Sequence, residues 1–220
     1  MRSSWGITAG ALLALALGSA LARAQDNPWE VRLRVLYLDP ANQSDPVPLL
    51  KAPRNAIHIN GRWLPDLDIE YRFTPYWSSE LLLTYPQSET VTIKRSALGG
   101  PTRIGTFHQL PPTLLLQYSF YPEDRFQPYV GVGVGVNVTI LSDVHLSVPG
   151  VGPLQLDRTS VGPAAQAGFD FRLTGNWYFN ADIKWAMIRS EVTYGGARIS
   201  KVRIDPLLFG LGVGYRFGGE

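Results

Sequence analysis

A chain of 220 residues has room for one domain or at most two. Apolar residues make up 45% and charged residues only 17%, light on charge for a water-soluble protein, while a mean hydropathy near zero argues against a bundle of membrane-spanning helices. Lys plus Arg number 20 against 18 Asp plus Glu with no basic tract, which excludes nucleic acid as the main partner, and the absence of Cys excludes disulfides, thiolate zinc sites and cysteine nucleophiles.

The first element is an export signal. Arg2 supplies a positive start, the run from Ala9 to Leu17 is apolar, and Ala22-Arg23-Ala24 forms an A-x-A cleavage site. Residues 1–24 are therefore expected to be a signal peptide removed before Gln25, leaving 25–220 as one domain. No later segment is long and apolar enough for a transmembrane helix. If the exported chain sits in a membrane, it must cross as a closed barrel, in which strands satisfy one another's backbone groups.

From Trp29 onward the periodicity is two. Trp29, Val31, Leu33, Val35 and Tyr37 alternate with Glu30, Arg32 and Arg34 in a first strand. Leu67, Ile69, Tyr71 and Phe73 alternate with Asp66, Asp68, Glu70 and Arg72 in a second. Trp77, Leu81, Leu83 and Tyr85 mark a third, and Leu114, Leu116, Tyr118 and Phe120 a fourth. The fifth sets Val130 to Val138 against Gly131, Gly133 and Gly135, and the sixth sets Ala165, Ala167, Phe169 and Phe171 against Gln166, Gly168, Asp170 and Arg172. The seventh opposes Trp177, Phe179, Ile183 and Trp185 to Asn180, Asp182 and Lys184, and the eighth opposes Leu207, Phe209, Leu211, Val213, Tyr215 and Phe217 to Gly210, Gly212, Gly214 and Arg216. Such segments, apolar on one face and polar on the other, predict an all-β, eight-stranded antiparallel transmembrane barrel.

The connections alternate in length. Residues 74–76, 121–125 and 174–176 are short turns, while 39–65, 86–112, 140–160 and 189–206 are long, polar and rich in Gly or Pro. Short periplasmic turns alternating with long external loops fit the same class, and an even strand count puts both termini on the periplasmic side. Aromatics crowd the short-turn ends (Phe73, Tyr76, Trp77, Phe120, Tyr121, Phe126, Phe171, Trp177, Tyr178, Tyr215 and Phe217) and predict an interfacial girdle. Tyr215 and Phe217 are the expected closing-strand signal for the barrel-assembly machinery, and outer-membrane lipid is the expected surround.

Chemistry-bearing motifs are weak. Gly131-x-Gly133-x-Gly135 lacks the spacing and following helix of a phosphate-binding turn. His58, His108 and His145 have no second histidine at ligand spacing, and Ser96, Ser142 and Ser147 sit in no nucleophile motif. No catalytic residue, metal site or cofactor is expected.

Three segments carry a family resemblance: His108 to Phe120 (HQLPPTLLLQYSF), Phe126 to Thr139 (FQPYVGVGVGVNVT) and Ile204 to Phe217 (IDPLLFGLGVGYRF). With LPDLDIEYRF, WSSELLLTYP and AGFDFRLTGNWYFNADIKW in order, nearly the whole exported chain resembles the OmpW family of outer-membrane proteins. The resemblance implies an eight-stranded barrel with a narrow, partly apolar interior that passes small hydrophobic compounds across the outer membrane. The family usually ends at the final aromatic, whereas here Gly218-Gly219-Glu220 follow Phe217.

Strand direction gives an expectation for the lumen. The inward acids are Glu30, Asp68, Glu70, Glu80, Asp170 and Asp182, and the inward bases are Arg32, Arg34, Arg72, Arg172, Lys184 and Arg216. Equal signs in a narrow barrel favour a neutral ion-pair plug over a selectivity filter, because an unpaired buried ion is costly. Charges gather toward the periplasmic end. Leu36, Leu38, Leu82, Leu115, Ala164, Ala186, Ile188 and Leu208 point inward near the external end, and Gly131, Gly133, Gly135, Gly162 and Gly168 are expected to clear space along one wall. The expected arrangement is an apolar pocket open to the outside above an ion-pair floor, serving the passage of small hydrophobic solutes. A structural or adhesive barrel, whose loops bind a surface partner, and a lipid-modifying barrel enzyme are the alternatives.

Overall fold

A computed structural model describes residues 27–85, 87–97, 99–110, 112–148, 152–157 and 159–217. The expected signal segment 1–24 and the tail Gly218 to Glu220 lie outside the described residues. Among the described residues sixteen strands occur: β1 (Trp29–Asp39), β2 (Gln43–Ser44), β3 (Ile57–Ile59), β4 (Arg62–Arg72), β5 (Trp77–Thr84), β6 (Gln87–Ile93), β7 (Thr102–Leu110), β8 (Thr113–Ser119), β9 (Phe126–Val148), β10 (Gly152–Pro153), β11 (Gln155–Leu156), β12 (Thr159–Thr174), β13 (Trp177–Ala186), β14 (Arg189–Tyr194), β15 (Ala197–Arg203) and β16 (Leu207–Arg216).

Eight of them close a barrel in the order β1, β4, β5, β8, β9, β12, β13, β16, all antiparallel, with β16 returning to β1. Val31 pairs with Tyr215 and Leu33 with Val213, and the Phe217 amide donates to the Trp29 carbonyl at 2.8 Å, so the last strand locks the first. Closure removes the sheet edges that hydrocarbon would not tolerate. The pleat points Glu30, Arg32 and Arg34 inward, where they are buried, and leaves Leu33 63% and Val35 52% exposed. A water-soluble barrel would reverse that choice; this one is built for lipid outside.

The short-turn end carries an aromatic ladder. Trp29 meets Tyr71 at 4.9 Å and Tyr71 meets Phe73 at 5.4 Å; Trp77, Tyr118 and Phe120 continue it, and Trp177, Tyr215 and Phe217 complete a further stretch. Tyr178, expected in this girdle, faces the lumen instead and is buried, because its neighbour Trp177 takes the outward side of the pleat. At the external edge Tyr37 and Trp63 pair at 5.0 Å. Phe217 rests on Tyr215 at 4.9 Å. Phe217→Ala removes that contact from the closing strand and is expected to lower folded yield roughly fivefold, read as heat-modifiable migration on detergent gels, whereas deleting residues 218–220 is expected to leave the yield unchanged.

The long external connections are more ordered than their Pro and Gly content suggests. β9 runs on beyond the lipid band and pairs with β7, which continues through β6 to β3. Opposite stands a four-stranded sheet in the order β11, β14, β15, β2. The two sheets extend the barrel wall outward and pack their apolar faces against each other.

Candidate functional site

The inward face of β1 reads from periplasm to exterior as Glu30, Arg32, Arg34, Leu36 and Leu38, all buried. This one strand displays the whole plan: charge below, aliphatic above.

The lower tier centres on Arg32. Its Nε lies 2.9 Å from Glu30, its Nη1 2.9 Å from Glu80 and its Nη2 2.9 Å from Asp170, with Glu70 also paired. Glu80 belongs to β5 and Asp170 to β12, so one guanidinium from β1 bridges the lumen to strands on both sides. Arg72 and Arg216 hold Glu30 from the periplasmic side at 3.0 and 2.8 Å. The Arg216 guanidinium also sits 3.9 Å from the ring centre of Tyr178. In the upper tier Arg34 pairs with Asp66 at 2.6 Å and with Asp68 and Asp182. Lys184 reaches Glu80 at 2.8 Å, Asp182, and the Gln166 side-chain oxygen at 2.7 Å. The carboxylates of Asp68, Glu80 and Asp182 lie within 4.8 Å of one another, and the Lys184 ammonium pairs with all three. Neutral groups fill the rest: Asn180 donates to Asp170 at 2.8 Å and to the Tyr129 hydroxyl at 3.0 Å, and Gln166 to Gln117 at 3.0 Å. Wholly buried side chains therefore cross the lumen at this level.

Eleven of the twelve inward charges expected, Glu30, Arg32, Arg34, Asp68, Glu70, Arg72, Glu80, Asp170, Asp182, Lys184 and Arg216, meet in this network. Arg172 does not: it is half-buried at the mouth and donates to the Tyr178 hydroxyl at 3.1 Å, beside a register shift between Arg172 and Thr174. Asp66, absent from the expected set, joins it. The expected six-to-six balance thus becomes seven acids (Glu30, Asp66, Asp68, Glu70, Glu80, Asp170, Asp182) and five bases (Arg32, Arg34, Arg72, Lys184, Arg216).

Above the plug the expected apolar residues are all buried but fall into two groups. Leu36, Leu38, Leu82 and Leu208 pack with Leu64 directly over the charges. Leu115, Ala164, Ala186 and Ile188 belong to a larger cluster that continues into the external sheets. There the structure has an apolar chamber, lined by Ile57, Ile59, Val91, Ile93, Phe107 and Ile204 among others, with about 30 Å³ of free space, close to one water's worth. None of its lining residues was in the expected pocket, since all lie in segments read as polar loops. The glycine wall does not clear space either. A Cβ on Gly131 would stand 2.7 Å from Gln166 Cγ, and one on Gly168 2.8 Å from the Tyr129 ring. These glycines let neighbours close in rather than leave a gap.

A closed eight-stranded antiparallel barrel with an apolar exterior agrees with the comparisons to known proteins. The OmpW family model matches residues 29–217. The chain belongs to the OmpW family. Outer membrane protein W of Vibrio cholerae is 32% identical over 217 residues, covering 94% of this chain and 97% of that protein. Outer membrane protein AlkL of Ectopseudomonas oleovorans is 32% identical over 126 residues, covering 56% and 51%. The crystal structure of OprG from Pseudomonas aeruginosa superposes with a TM-score of 0.74 at 25% identity, covering 89% of this chain and 98% of that one. Like its OmpW-family relatives, this chain is an outer-membrane barrel.

Proposed function

We propose that this OmpW-family barrel gives small, mainly hydrophobic molecules a passage across the outer membrane, and that it does so without catalysis. The observation that carries this reading is the vertical order of the interior: an apolar chamber on the outside, an aliphatic layer beneath it, and a buried ion-pair plug beneath that. An apolar solute gains about 25 cal/mol for each Å² removed from water. It gains nothing from the plug, whose charges are already paired and whose separation would leave buried ions uncompensated. Sideways exit into the bilayer is then easier than descent into the periplasm. With little free space in the chamber, a solute enters as the two external sheets part. The inherited family reading, passage of small hydrophobic compounds, points the same way.

Leu208→Asp and Ile188→Asp test it. Each places a carboxylate in the aliphatic path; Leu208 stands opposite Lys184 on the β13–β16 ladder, so the Ile188 variant is the one that leaves the plug's ion pairs alone. Folded variants, confirmed by heat-modifiable migration, are expected to lose uptake of apolar solutes about tenfold, because a carboxylate in an apolar site must keep its water or its proton. Unchanged uptake by the folded variants would refute the passage.

A further inference from the structure

The external sheets carry different electrostatics on their outward faces. In the sheet of β2, β15 and β14 three of the four bases have acidic partners, Lys201 being the exception among the described residues: Arg189 meets Asp205 at 3.3 Å, Arg198 meets Glu191 at 2.9 Å, and Arg203 meets Asp45 at 3.8 Å. In the sheet of β3, β6 and β7 the apolar residues Ile57, Ile59, Val91, Ile93 and Phe107 turn inward to the chamber. The outward side presents His58, Thr90, Thr92 and Arg103, with exposed Lys94 at the end of β6. His58 pairs with Thr92 and Thr92 with Arg103 in register, so the three lie in one row across the sheet. Lys94 binds the Ala56 carbonyl through its amide at 2.8 Å, which sets it beside His58. Among the described residues neither Lys94 nor Arg103 has an acidic partner. Burial and then the Lys94 ammonium hold the His58 imidazole below its usual range, so the charge of this row is carried by Lys94 and Arg103 rather than by His58.

The row stands at a definite height. Arg62 donates to the Ser88 carbonyl at the foot of β6, next to the exposed Trp63 that pairs with Tyr37 at the edge of the lipid band. Thr92 is four residues farther along, about 13 Å at strand rise. That is headgroup height, above the acyl chains. We infer that the outward face of β3, β6 and β7 is a docking surface for the phosphate groups of phosphorylated glycolipid in the outer leaflet, with Lys94 and Arg103 as the charge-bearing contacts and the threonine hydroxyls as neutral donors. The apolar belt below holds the acyl chains of the same lipid, and the unpaired bases are complementary to its phosphates. Occupation would also brace the outer wall of the chamber.

The test uses full-length protein refolded in detergent, with folding checked by heat-modifiable migration. Native mass spectrometry then compares binding of bisphosphorylated lipid A with its dephosphorylated form. The wild type is expected to prefer the phosphorylated lipid about tenfold, and Lys94→Gln/Arg103→Gln is expected to abolish the preference. Arg198→Gln/Lys201→Gln, which removes the same charge from the opposite sheet, is expected to retain it. Retention by the first variant, equal loss in both, or displacement of the lipid by an equal concentration of inorganic phosphate would each overturn the assignment.

Discussion

Arg32→Ala is expected to lower barrel stability by about 3–5 kcal/mol, the largest effect of any single change in the plug. The reason is not the loss of a favourable pair but what remains. Glu30, Glu70, Glu80 and Asp170 all converge on this guanidinium and all are buried. Without it, four carboxylates face one another, with Arg72, Arg216 and Lys184 left to answer them. Arg32→Lys keeps the charge but not the planar fork, so it is expected to recover only part of the loss. Urea unfolding in detergent, followed by tryptophan fluorescence and by heat-modifiable migration, measures both. A loss under about 1 kcal/mol, the value of an exposed pair, would show that the plug is hydrated rather than sealed.

Gly133→Ala is expected to prevent most of the chain from folding, while Gly135→Ala is tolerated. The two glycines are alike in sequence, two residues apart on the same face of β9. They differ in what a Cβ would meet. At Gly133 it would run into the Leu114 carbonyl and stand 2.7 Å from Leu115 Cα, which are backbone atoms of the neighbouring strand β8. At Gly135 its nearest neighbour is the Thr113 hydroxyl at 3.3 Å, a side-chain atom that can give way. Separating β8 from β9 would break ladder hydrogen bonds inside the lipid band, where water does not replace them. Folded yield of the two variants expressed and refolded side by side decides the matter. Equal yields would mean that β8 and β9 do not approach this closely.

Much of this was legible because a membrane barrel writes its fold at period two. Charged residues alternating with aliphatics in β1, β4 and β13 have one consistent solution in lipid, and it fixes both strand and facing. The exceptions have local causes. Pro65 sits inside β4, paired with Val35, yet proline ordinarily marks the end of a strand. Alternation alone therefore starts the strand at Asp66, whereas it runs from Arg62. Alternation puts Arg172 in the floor, but a register shift at the turn interrupts the pleat and sets it at the mouth. The chamber is hidden in the sequence for a different reason. Ile57-x-Ile59, Val91-x-Ile93 and Val202-x-Ile204 each alternate for only three residues, within stretches dominated by Pro, Gly and polar side chains. Such runs are too short to declare a strand alone; they become walls only because β9 extends far enough to carry β7, and through it β6 and β3, while β14 carries β15. The glycines misled by composition: small residues on an inward face suggest space, but tight packing uses them equally well.

The most direct test of the central claim is the initial uptake rate of a homologous series of labelled solutes, measured on vesicles with a lipopolysaccharide outer leaflet, with and without the folded barrel. Each added methylene contributes about 0.8 kcal/mol on burial, roughly fourfold in occupancy. If the apolar chamber is the entry and the ion-pair plug the floor, the barrel-dependent rate will rise with solute hydrophobicity until chain length exceeds the chamber, and charged solutes of the same size will gain nothing from the barrel. A barrel-dependent rate that is indifferent to hydrophobicity, or that favours charged solutes, would contradict the account.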